Sequence, residues 1–368
     1  MRGVESGGFV SNLSSNTCVA GPAGSLGAWR TSLGGQTVQS IMTPGCRVSV
    51  LVPAYNSAAT LPRAVASVLV QDLRDLEILI INDGSRDETA EVAAAQAAID
   101  PRVRAITLPC NRGKPAAMNA GIALARGRWL AVLDADDWYA PERLSTLIAI
   151  AERKQVQLVA DNQFLYDDGA AQVVRTALPE LPGDRPLDKA TFIAGSDPYS
   201  DFDFGMLKPV IRADFIRTTG LAYHENAKLS EDFLYMLEFL AAGGHGWLVS
   251  RPLYYWSQAF GTISRRWTET GSGRWRYNFL SAAQANADVL SAMRQAGETE
   301  LAGLLQQRMR AFYRLHWMQE VSRLHAEGAT PARLARELLG HPSIWPLVAR
   351  RGIRRAAKAM SLHSLVRA

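Results

Sequence analysis

Residues 47–71, RVSVLVPAYNSAATLPRAVASVLVQ, set the architecture. Val48 to Val52 is a β-branched run closed by Pro53, and Thr60 to Val70 then carries apolar residues at helical spacing. That pattern predicts a strand followed by a helix. The alternation continues downstream, with strands expected near Glu77 to Ile81, Val103 to Leu108 and Trp129 to Leu133. Helices are expected near Glu88 to Ala98, Pro115 to Ala125 and Pro141 to Arg153. Strands separated by helices of this length need right-handed crossovers and a mostly parallel sheet with both faces covered, so the fold class is α/β.

Outward from this block the character changes on both sides. Residues 1–45 are Gly- and Ser-rich, carry only Arg2, Glu5 and Arg30 as charges, and show no apolar period, which reads as a disordered lead. Residues 155 to 260 are less regular, with a helix expected from Glu231 to Ala242 and short strands near Trp247 and Tyr254. They complete an α/β domain over residues 46–270. From 271 to 368 helix dominates, and Leu301, Leu304, Leu305, Met309, Phe312 and Leu315 fall on one helical face.

Composition removes several classes. A chain of 368 residues that is 48% hydrophobic needs no stapling. Cys18, Cys46 and Cys110 are odd in number and unpaired in spacing, so neither a disulfide nor a Cys-rich zinc site is expected. The net charge of +5, from 40 basic and 35 acidic residues, does not call for nucleic acid. No run approaches the ~18 apolar residues of a spanning helix, and the lead lacks the compact apolar stretch of a secretory signal. A cytoplasmic location is expected.

In an open α/β sheet, ligands bind beyond the carboxyl ends of the parallel strands. Pro53-Ala54-Tyr55-Asn56 follows the first strand, Asn82-Asp83-Gly84-Ser85 the second, and Asp134-Ala135-Asp136-Asp137 the fourth. Taken singly, the last two read as a turn and a helix cap. Together they gather carboxylates on one rim, where hard oxygen ligands suit Mg²⁺ or Mn²⁺ and a phosphorylated ligand. Neither GxxxxGK[ST] nor a GxGxxG after the first strand is present, which disfavours a P-loop hydrolase and a dinucleotide dehydrogenase.

The ordered set VSVLVPAYNSAATLPRAVASVLVQ, LEILIINDGSRDET, NRGKPAAMNAGIALARG, WLAVLDADDWYAPERL and SEDFLYMLEFL resembles a family 2 glycosyltransferase. The match runs from Val48 to about Ser264. The resemblance implies the GT-A fold, a Rossmann-like central sheet with helices on both faces, here with a C-terminal helical extension. It further implies an inverting, metal-dependent transfer from a UDP-sugar donor to a saccharide or lipid-linked oligosaccharide acceptor in bacterial exopolysaccharide or cell-surface glycan synthesis.

Residue by residue, the resemblance places Pro53, Tyr55 and Asp83 at the uridine, Asn56 among the substrate-binding residues and Asp134 near the ribose or sugar. It places Asp136 on the metal, supported by Asp137. Lys114 and Asn119 line the donor pocket by the same likeness, and the Glu231-Asp232 pair supplies the catalytic base, Asp232. An exposed lysine and a helix cap remain the plain alternatives for Lys114 and for Ser230-Glu231-Asp232. Ser264 and Arg265 are candidates for the diphosphate, on a loop that reads equally as a solvated basic turn.

Two departures bear on the reaction. Asn82 stands where many members have an acid, and QxxRW is absent, which favours single addition over processive synthesis. His224, the segment from Ser196 to Phe204, Trp138 and Tyr139 are candidates for the acceptor side or for internal packing. Arg350, Arg351, Arg354, Arg355, Lys358 and Arg367 form a basic amphipathic C-terminus that suits either an anionic inner-leaflet surface or solvent. Rival readings are an inactive nucleotide-sugar-binding scaffold and a sugar nucleotidyltransferase. The second normally needs a Gly-rich basic phosphate loop, and Pro53 to Thr60 has none.

Overall fold

A computed structural model of the protein describes residues 11–12, 46–200, 202–227, 230–258, 279–346 and 348–349. After a two-residue strand β1 (Ser11–Asn12), the first half alternates as read from sequence. It runs β2 (Val48–Ala54), α1 (Leu61–Leu69), β3 (Leu76–Asn82), α2 (Thr89–Ile99), β4 (Val103–Thr107), α3 (Lys114–Leu124) and β5 (Trp129–Val132). A short β6 (Trp138–Tyr139) and α4 (Arg143–Lys154) follow. Leu61, Ala64, Val65 and Val68 bury one face of α1, and Pro62 sits in its first turn, where no amide is missed. β1 pairs in parallel with β4, so the lead contributes one short strand where none was expected.

Strand order in the described sheet is β1-β4-β3-β2-β5-β10-β7-β11-β6, with β8 (Gln172–Thr176) on β7 (Leu158–Asp167) and β9 (Arg185–Leu187) on β11 (Gly246–Ser257). The chain moves outward from β2 through β3 and β4, then returns to place β5 on the other side of β2, parallel to it. That reversal opens a crevice at the carboxyl ends of β2 and β5, the place where such sheets bind ligands.

β10 (Val210–Arg212) runs antiparallel between β5 and β7, with Val210 opposite Ala131. Because the directions oppose, the residues just before β10 lie at the same rim as those just after β5. Lys208 therefore comes to Asp134 through strand register. The two short strands expected near Trp247 and Tyr254 are one strand, β11, interrupted by register shifts between Val249 and Tyr254.

A buried ion pair joins α4 to the middle of β7. The Arg143 guanidinium donates to Asp161 Oδ1 at 2.7 Å and to the Lys208 carbonyl at 2.5 Å, and it lies over the Tyr139 ring at 4.3 Å and the Tyr254 ring at 5.2 Å. Asp161 Oδ2 also accepts from Leu253 N at 3.1 Å. One buried cation thus holds the backbone at Lys208, and the attraction within the pair offsets part of the cost of burying each charge.

The chain divides into two compact units, Met1–Arg266 and Trp267–Ala368. The first also contains α5 (Lys189–Ala194), α6 (Ala213–Thr219) and α7 (Glu231–Ala241). The second contains α8 (Phe279–Ala285), α9 (Ala287–Gln295), α10 (Thr299–Ala326) and α11 (Pro331–Gly340). The buried residues of α10 are Ala302, Leu305, Arg308, Ala311, Phe312 and Leu324, so Leu305 and Phe312 of the expected face are buried while Leu301, Leu304, Met309 and Leu315 are partly exposed.

No described helix is long and apolar enough to cross a membrane. The basic cluster from Arg350 to Arg367 lies outside the described residues. Cys110 is disulfide-bonded while Cys46 is free, so the expectation of no disulfide does not hold.

Candidate active site

The loops after β2 and β3 are laced together first. Asn56 takes a left-handed backbone at φ 50°, its amide donates to Ser85 Oγ at 3.0 Å, and its Oδ1 accepts from Arg86 N at 2.8 Å. Asn56 is therefore committed to the loop, while the half-buried Pro53 and Tyr55 flank it. Asn82 Oδ1 accepts from Ser85 N at 3.1 Å, which is a turn-closing role that an amide serves as well as an acid.

Asp83, 3% exposed, accepts Arg112 N on Oδ1 at 2.9 Å and Gly113 N on Oδ2 at 2.7 Å. Burial pushes its carboxyl up, against the pull of those two amides. Gly84 has φ 62°, and a Cβ there would lie 2.5 Å from the Cys110 carbonyl carbon. Only glycine lets this turn press against the segment that presents Arg112 and Gly113.

Four charged side chains from four segments then meet. Lys114, at the start of α3, reaches Asp134 Oδ1 at 2.9 Å and Asp232 Oδ2 at 2.8 Å. Lys208 reaches Asp134 Oδ2 at 2.8 Å and Asp232 Oδ2 at 3.1 Å. Burial opposes ionisation of Asp134 and Asp232, but the two ammoniums outweigh it and hold both carboxyls below the usual range. The lysines are lifted above theirs by the same pairing, again against burial. Glu231, beside Asp232 in the first turn of α7, is pushed up by burial and by its neighbour's charge.

Asp136 differs from its neighbours. Among the described residues no other side chain makes a hydrogen bond or ion pair with its carboxylate, which is met only by its own backbone amide, and its backbone carbonyl accepts from Arg63 at 2.8 Å. Burial and the charge of Asp134 push its carboxyl up to about 6. A free acid kept partly from water beside a second acid is the donor type that a divalent cation satisfies. No group of three potential ligands stands assembled among the described residues, so such an ion would take its remaining ligands from substrate and water.

Asp137 does not fit the expected metal role. It is 1% exposed, and its two oxygens accept from Tyr254 Oη at 2.6 Å and Ser257 N at 2.8 Å. Tyr254 Oη also accepts from Asp134 N at 3.2 Å, so Asp137 and Tyr254 pin the acidic loop to β11. Tyr254→Phe should cost about 1–3 kcal/mol, the loss of one bond to a buried carboxylate, measured by urea unfolding. Unchanged stability would mean that the loop is fixed by something else.

Other expected donor residues also take structural roles. Asn119 exchanges two hydrogen bonds with the Tyr223 backbone, at 2.9 and 2.8 Å, which leaves its amide no simple access to a ligand. Ser264 and Arg265 lie outside the described residues. On the acceptor side, His224 Nε2 lies 2.6 Å from Glu238 Oε1, Tyr139 is buried, and Trp138 stacks on Tyr255 at 5.1 Å with the Arg63 guanidinium 4.0 Å from its ring centroid. Lys208 is the residue sequence reasoning missed. Its signal was a single cation inside the otherwise apolar FGMLKPVI, residues 204–211.

A doubly wound, mostly parallel sheet with helices on both faces has the architecture of the GT-A fold. The fold matches S. aureus TarS 1-349 in complex with UDP-GlcNAc at a TM-score of 0.58 and 16% identity, over 78% of this chain and 82% of that one. Residues 49–207 match the family described as Glycosyl transferase family 2.

The chain is 36% identical over 219 residues to the succinoglycan biosynthesis protein ExoO of Rhizobium meliloti (strain 1021), covering 59% of this chain and 62% of that protein. Its likeness to ExoU of the same organism is 29% over 259 residues, covering 69% and 72%. The chain thus spans somewhat under two thirds of ExoO.

Proposed function

We propose that this protein is an inverting, divalent-metal-dependent glycosyltransferase. It moves a sugar from a UDP-sugar to a saccharide or lipid-linked saccharide in exopolysaccharide assembly. The observation that carries the reading is the convergence of Asp134, Lys114 and Asp232 within hydrogen-bond distance, with the carboxylate of Asp136, which has no side-chain partner among the described residues, in the same acidic loop. The named role of ExoO and the UDP-GlcNAc bound by TarS support the pathway and the donor class.

Asp83, Tyr55 and Pro53 would take the uridine. Asp136 would hold Mg²⁺ or Mn²⁺, which when bound supplies positive charge at the diphosphate as the leaving group forms. Asp232 receives the proton of the acceptor hydroxyl as that oxygen attacks the anomeric carbon from the face opposite the departing diphosphate. Its Oδ1 is inaccessible to solvent and accepts no hydrogen bond among the described residues, so it retains capacity for that proton. A C-terminal contact with an anionic membrane surface fits a lipid-linked acceptor, and the basic residues from Arg350 onward support it.

A panel of UDP-sugars with Mn²⁺, scored for slow hydrolysis and for transfer to short saccharides, tests the reading. At least one donor should be consumed in a metal-dependent way. Hydrolysis of none, together with no UDP binding, would end it.

A further inference from the structure

The four-charge cluster leaves a specific remainder. An ammonium carries three N–H donors, and Lys114 and Lys208 each spend two on Asp134 and Asp232. For each, the third donor has no partner among the described residues. Asp232 shows the converse: its Oδ2 accepts from both lysines, and its Oδ1 is shielded from solvent with no donor. A cluster built only to stabilise the fold would close on itself, since buried polar groups left open are costly. This one keeps two donors and one acceptor free.

Lys208 is also expensively placed. Its side chain is 9% exposed, and its carbonyl is held by the buried Arg143. With Lys114 it balances the two carboxylates, so the closed cluster is neutral and both ammoniums stay charged in a buried place. That pair of positive charges matches what a diphosphate brings, which is at least two negative charges and several acceptor oxygens.

We infer that Lys208 is a diphosphate-binding residue, parked with Lys114 on Asp134 and Asp232 until the phosphates of the donor displace the carboxylates. The inference rests on the donor reading above. Donor and base then compete for the same two ammoniums. While no donor is bound, Oδ2 of Asp232 is held as an ion-pair partner. When the phosphates take the lysines, the carboxylate is released toward the acceptor hydroxyl, so donor binding itself arms the base and water finds it subdued beforehand.

Calorimetric titration with UDP and with uridine, both with Mg²⁺, reads this without turnover. Lys208→Met should weaken UDP binding about 10- to 100-fold, the worth of one charged hydrogen bond, and uridine binding less than about threefold. Asp232→Asn should tighten UDP about three- to tenfold, because a competing anion is removed. Equal UDP affinity in Lys208→Met and the parent, or equal losses for UDP and uridine, would overturn the role of Lys208. Unchanged or weaker UDP binding in Asp232→Asn would overturn the latch.

If Lys208→Met does not fold, the charge-balanced Lys208→Met/Asp232→Asn is compared with Asp232→Asn alone. The same 10-fold or larger gap is expected, and no gap refutes the proposal. A parent that binds neither UDP nor GDP would instead bring down the donor reading and this inference with it.

Discussion

Asp232→Asn should lower sugar transfer by about 10²- to 10⁴-fold, the usual contribution of a positioned general base, while UDP still binds. The amide matches the carboxylate in shape and can still accept from Lys114 and Lys208, so α7 and the lysines keep their places. What it cannot do is take a proton. The neighbouring Glu231 is a poor stand-in, since burial and Asp232 already hold its carboxyl above the usual range, and a helix turn directs adjacent side chains apart. Initial rates with saturating donor, beside UDP calorimetry on the same preparation, separate the two effects. A variant that transfers like the parent would remove Asp232 from the reaction.

The sheet was legible because its strands are buried on both faces and read as plain apolar runs: Val48–Ala54 and Leu76–Asn82 could hardly be anything else. β7 was not, for a physical reason. Asp161, Asn162 and Gln163 interrupt its pattern, yet all three are buried, the first against Arg143, the second bonded to the Leu178 backbone, the third to the Met206 carbonyl. Such a strand is stabilised by partners distant in sequence, so its own periodicity is silent.

The site divides the same way. Asp83, Asp134 and Asp232 stand out as acids after strands or at a helix start. Lys208 acquires its role only through the antiparallel register of β10 against β5. Asp136 and Asp137 look interchangeable in the sequence, and only the Tyr254 and Ser257 contacts show that the second is a structural acid.

That distinction makes Asp136 the position where function and stability should part. Its carboxyl is raised from 3.8 to about 6, first by burial and then by Asp134. The folded state therefore binds this proton more tightly than the unfolded chain does, and the group lowers stability as pH rises from about 4 through 6. At pH 7 the cost is at most about 3 kcal/mol, from 1.36 kcal/mol per unit. Asp136→Asn removes it. Without divalent metal, the variant should be more stable than the parent at pH 7 by about 1–3 kcal/mol, with the gain fading toward pH 4.

The same substitution deletes the acid proposed to hold the cation, so the Mg²⁺-dependent part of UDP affinity should fall about 10²- to 10³-fold, as for loss of a charged ligand contact. Asp137→Asn should move both readouts the other way, losing stability through its buried bonds while keeping the metal response. Urea unfolding in EDTA at pH 4 and 7, paired with UDP titrations with and without Mg²⁺, distinguishes the two acids. If Asp136→Asn keeps its metal-dependent affinity and Asp137→Asn loses it, the assignments are reversed and the cation must reach the loop from the β11 side.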